Sequence, residues 1–76
     1  MSSLLPALTA RQVVRVLKKA GFIEDRQKGS HLILIHPLTL ARTVVPIHHG
    51  QTIYKPLLRT IIYDAQISLE EFLDLL

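Results

Sequence analysis

The sequence predicts an α+β fold in which helices cover one face of a small antiparallel sheet and leave the other face open. Three observations carry this. Residues 9–20 repeat apolar side chains at helical spacing. Three short runs between residues 22 and 47 carry strand-like residues, joined by links too short for a crossover. A second helical pattern follows from residue 55.

The first helix is predicted over residues 9–20. Thr9 and Gln12 have capping-box spacing, and Gly21 supplies a stop. Val13, Val14, Val16, Leu17 and Ala20 gather on one face, and Arg11, Arg15, Lys18 and Lys19 on the other. Residues 22–27 alternate loosely and read as a strand, with Lys28-Gly29 as the turn. Residues 30–36 hold the run Leu32, Ile33, Leu34 and Ile35. Being apolar on both faces, this is the expected central strand, ended by Pro37. Residues 38–41 connect it to a third strand over 42–47, where Thr43, Val44 and Val45 favour the pleat. The three strands form a meander.

After a loop at residues 48–51, a second helix is predicted over 55–65, with Pro56 in its first turn and Leu57, Leu58, Ile61 and Ile62 as its buried stripe. A last short helix starts at Ser68, whose spacing to Glu71 repeats the capping box, and docks through Leu69, Phe72, Leu73 and Leu76. Of the four aromatic residues, Tyr63 and Phe72 are assigned to the core, and none cluster as a base-stacking strand would require.

With 76 residues the chain is expected to be a single domain, residues 1–76, with room only for a shallow site. It has no cysteine, so packing alone must hold the core. The opening apolar run is broken by Pro6 and lacks a basic leader, and no stretch of about 20 apolar residues exists. The expectation is a cytoplasmic protein with no membrane span. Charge is unevenly distributed. All nine Lys and Arg lie at or before Arg59, and only Glu24 and Asp25 oppose them before Asp64. A basic body of this kind suits a polyanion partner.

Lys28-Gly29-Ser30-His31 is the segment best suited to chemistry. A glycine turn beside the central strand gives a rigid base and an open approach. Histidine titrates near neutral pH and can accept a proton within a reaction cycle. RNA supplies its own nucleophile, so one base beside a phosphate suffices to start its cleavage. Lys28 and backbone N–H groups around Gly29 can steady the phosphate. On spacing alone, His31 beginning an ordinary strand is the simpler reading. His48 and His49 are adjacent and point apart when extended, and His36 reads as a strand-end residue. No metal site and no cofactor are expected.

The ordered combination Gly29-Ser30-His31, His36-Pro37 and Pro46-Ile47-His48 resembles the HicA toxin family, also called YcfA-like. The similarity includes residues 13–22, ending in Ala20-Gly21-Phe22, and continues through residues 58–62 and 67–73. It implies a fold like a double-stranded-RNA-binding domain and a metal-independent endoribonuclease acting on mRNA, with His31 as the catalytic residue. It also implies a HicB-type antitoxin that masks His31. RNA-binding residues are expected at Arg26, Lys28, Gly29 and Ser30, and along Arg11, Arg15, Lys18 and Lys19 of the first helix. His48 is the auxiliary candidate. The free chain is expected to be a monomer. One departure is the connection at residues 38–41, longer and more apolar than the Asp-Gly-type turn frequent in the family. Its two leucines are expected to fold back on the domain or to touch a partner. A non-catalytic RNA-binding module and a protein-interaction domain are the alternatives.

Overall fold

The computed structural model describes residues 5–76; residues 1–4, part of the opening run read as lacking a signal, lie outside the described residues. Helix α1 (Ala10–Lys19) is followed by strands β1 (Ile23–Lys28), β2 (His31–Ile35) and β3 (Arg42–Pro46), and then by helices α2 (Lys55–Asp64) and α3 (Leu69–Asp74). The strands form one antiparallel sheet in the order β1-β2-β3, so the apolar run is the central strand. This is the α+β arrangement of a double-stranded-RNA-binding-like fold.

Local sequence signals set the helix boundaries. The Thr9 hydroxyl accepts from the Gln12 N–H, and the Gln12 side chain accepts from the Thr9 N–H at 2.9 Å, completing the capping box. At α3 the Ser68 hydroxyl accepts from the Glu71 N–H at 3.0 Å. Pro56 sits in the first turn of α2, where its missing N–H leaves no bond unmade.

The helices cover one sheet face. Leu32, Leu34 and Val45 belong to a core that includes Val13, Val16 and Leu17 of α1, Leu58, Ile61 and Ile62 of α2, and Phe72 of α3. Thr43 is the buried polar residue on this face, and its hydroxyl donates to the Ile61 carbonyl at 3.0 Å. The opposite face carries His31, Ile33 and Ile35 of β2 with their partners Pro46, Val44 and Arg42 of β3. Ile33 is buried between Arg26 and Val44 without belonging to the helix-side core.

Several expectations are corrected. The first hairpin turn is Gly29-Ser30, one residue later than predicted, because β1 extends to Lys28, which pairs with His31. Gly29 takes φ +60° while Ser30 keeps a negative φ, the pattern of a type II′ turn. β1 is exposed along its whole length, since the helices make their main sheet contacts with β3. Tyr63 is 82% exposed, not core. At about 100° per residue, Leu58, Ile61, Ile62 and Ala65 share an arc that excludes it, and Leu57 lies at the margin of that arc, partly exposed. Leu76 is half exposed, and Leu75 packs in its place. Leu38 and Leu40 do not fold back; they are 85% and 70% exposed.

Candidate active site at the first hairpin

The β1–β2 hairpin sets the geometry of the site. Lys28 and His31 are cross-strand partners flanking the Gly29-Ser30 turn, so their side chains share a face. That face is the one no helix covers. On the other side of His31 the partner is Pro46, and the ladder continues where the Ile47 N–H donates to the Ser30 carbonyl. His31 is therefore anchored by backbone on both sides while its side chain stays exposed.

A bulge at Asp25 decides which charges accompany it. The β1–β2 register shifts between Glu24 and Arg26, so Arg26 pairs with Ile33 and Glu24 with Leu34. Without the extra residue, Glu24 and Arg26 would point the same way. With it, Arg26 joins Lys28 on the His31 face, and Glu24 turns toward α1. There Glu24 meets Lys18 at 2.7 Å, both side chains about half exposed. The His31 face thus presents Arg26, Lys28 and Arg42 without Glu24 among them.

The expected RNA-binding residues divide between two layers. Arg26 and Lys28 accompany His31, with Gly29 and Ser30 forming the turn. Arg11, Arg15, Lys18 and Lys19 lie on the helix layer. Lys18 is paired with Glu24, and the Lys19 ammonium donates to the Leu75 carbonyl at 3.1 Å, tying α1 to the end of α3. His48 follows β3 in a loop and lines a groove beside Arg11 that His31 does not line. That groove, between α1 and the helix-side surface of β1, is the feature sequence reasoning missed. No sequence signal points to it, because it depends on the register change at Asp25, which appears only once the strands are paired.

His36 is structural. Its Nδ1 accepts from the Leu38 and Thr39 N–H groups at 3.1 and 3.3 Å, and its ring stands edge-on to Phe22 at 5.3 Å. It organises the β2–β3 connection, where Leu40 takes φ +65°. Among the described residues, no group of three His, Cys, Asp or Glu side chains is placed to hold a metal ion. No helix among them is long and apolar enough to cross a membrane.

A family model described as the HicA toxin of bacterial toxin–antitoxin systems matches residues 10–67. The chain belongs to the HicA toxin family. The matched span runs from the first residue of α1 past α2, so it contains the whole sheet, the hairpin with His31 and the His48 loop. No curated protein matches the chain. Membership makes this HicA-family chain a toxin component, one that functions opposite an antitoxin.

Proposed function

We propose that this HicA-family toxin is an endoribonuclease that cuts mRNA in the cytoplasm without a metal, using His31 as its base. The observation that carries the reading is the position of His31: exposed, backbone-anchored, paired with Lys28 and set on an uncovered basic sheet face. His31 removes the proton from a ribose 2′-hydroxyl. The 2′-oxygen attacks the adjacent phosphorus, and the bond from phosphorus to the 5′-oxygen breaks. The leaving oxygen takes up a proton, from water or from Lys28, which faces His31 across the turn. The products are a 2′,3′-cyclic phosphate and a 5′-hydroxyl. Lys28 and the N–H groups of the Gly29-Ser30 turn offset the charge that builds on the phosphate oxygens, and Arg26 holds the neighbouring phosphate.

The same face suits a HicB-type antitoxin. Ile23, Ile35 and Val44 lie among the basic side chains there and stay at least partly exposed, and a protein seated on them would cover His31. The test is to incubate the purified chain with a long transcript, alone and with a HicB-type antitoxin. Cleavage that the second protein suppresses supports the reading. An intact transcript retained in a complex would favour a non-catalytic RNA-binding module instead.

A further inference from the structure

The groove between α1 and β1 is back to back with His31. It has a volume of about 660 Å³, and its lining includes Arg11 and Val14 of α1, Glu24 and Gln27 of β1, Leu32 of β2 and Ile47 after β3. This size lies within the range of small-molecule sites, roughly 300–1,000 Å³. Val14 and Ile47 are packed against the core yet only partly covered, so the floor is apolar and open to solvent.

We infer that this groove receives one nucleobase of the RNA strand whose phosphate lies at His31, and that Gln27 reads the edge of that base. The inference rests on the ribonuclease reading and adds a base-selecting subsite to it. Three observations lead to it. First, Gln27 and Leu32 are the immediate neighbours of Lys28 and His31 and are themselves cross-strand partners. Alternation puts the two pairs on opposite faces at the same end of the hairpin. A strand crossing the Gly29-Ser30 turn passes from one to the other, and a Cβ built at Gly29 meets nothing within 4 Å, so the turn leaves the crossing open.

Second, the chemistry of the lining fits a base. Val14, Leu32 and Ile47 offer apolar contact to a ring face, as pockets for extruded bases do. The Gln27 amide donates from Nε2 to the Gly29 carbonyl at 3.1 Å. That bond fixes the amide and leaves its Oε1 and second N–H to meet the donor and acceptor edge of a base. Third, the charges at the rim fit an attached phosphate. Lys18 neutralises Glu24, while Arg11 makes no ion pair among the described residues.

The test titrates the protein with the four ribonucleoside 3′-monophosphates, with inorganic phosphate as control, and follows the Val14, Leu32 and Ile47 methyl resonances and the Gln27 side-chain amide by NMR. The expected result is movement of these signals with nucleotides but not with phosphate, to an extent that depends on the base. In parallel, DNA oligomers carrying one ribonucleotide are cleaved with the bases on either side of the scissile bond varied. The ratio of rates between the best and worst base falls about tenfold in Gln27→Leu. That residue is exposed on an edge strand, and circular dichroism checks its fold. Silent groove resonances beside normal cleavage, or equal shifts with phosphate alone, would overturn the groove and leave the ribonuclease intact. Base-dependent shifts without any cleavage would uphold the groove and overturn the ribonuclease.

Discussion

Lys28 and His31 face each other across a two-residue turn on the sheet surface that no helix covers. The pairing places a fixed positive charge beside a titratable base with no intervening loop to flex. Because β2 is the central strand, His31 is held from both sides. The consequences are chemical, electrostatic and structural, and each can be measured.

The reaction needs the substrate's own 2′-hydroxyl. Cleaved RNA is therefore expected to end in a 2′,3′-cyclic phosphate, and an oligomer methylated at the 2′-oxygen of the scissile residue is expected to survive intact. Cleavage should proceed at full rate in excess EDTA. Mass spectrometry of the 3′ ends decides this, and 3′-hydroxyl ends would contradict the mechanism.

The basic residues of α1 are not equivalent. Arg15 is exposed and makes no ion pair among the described residues, whereas Lys18 is engaged by Glu24. In an inactive His31→Ala background, Arg15→Gln is expected to reduce the slope of log affinity against log salt by about one, as loss of a phosphate contact does. Lys18→Gln should change it less. Fluorescence anisotropy across a salt series makes the comparison, and equal slopes for both variants would show that the ion pair does not sequester Lys18.

Gly21 and His36 form a coupled pair far from the chemistry. Gly21 has φ +106°, and a Cβ there would lie 2.6 Å from the His36 Nε2. The ring cannot easily retreat, because its Nδ1 holds two backbone N–H groups. Gly21→Ala is expected to cost about 1–3 kcal/mol from backbone strain, with the contact adding to it. His36→Ala should cost about 1 kcal/mol, because the exposed Leu38 and Thr39 N–H groups exchange the Nδ1 acceptor for water and the edge-on contact with Phe22 is lost. The double variant should lose less than the sum, since removing the ring removes the contact. Denaturant unfolding of the three proteins measures this, and additive losses would mean the two residues are independent.

Legibility in the sequence followed periodicity and turn chemistry. The capping box at Thr9, the strand order and the place of His31 beside a glycine turn all rest on signals confined to a few residues. Tyr63 is exposed rather than core, because an aromatic in a helical run does not by itself fix which arc of α2 meets the sheet. The bulge at Asp25 has no sequence mark of its own. One extra residue in β1 sends Glu24 to Lys18 and Arg26 to the His31 face, so the split of the basic residues between two layers and the groove behind β1 both depend on a register visible only in three dimensions. Leu38 and Leu40 stand out in the sequence as an apolar connection, and the fold gives no packing reason for either.

The central claim is that His31 performs the proton transfer. It is tested most directly by the single-turnover rate of transcript cleavage for the wild type and His31→Ala, with circular dichroism of both. The account predicts a folded variant slower by about 10²–10⁴-fold, the usual loss on removing a general base. A folded variant that cleaves at the wild-type rate would contradict it.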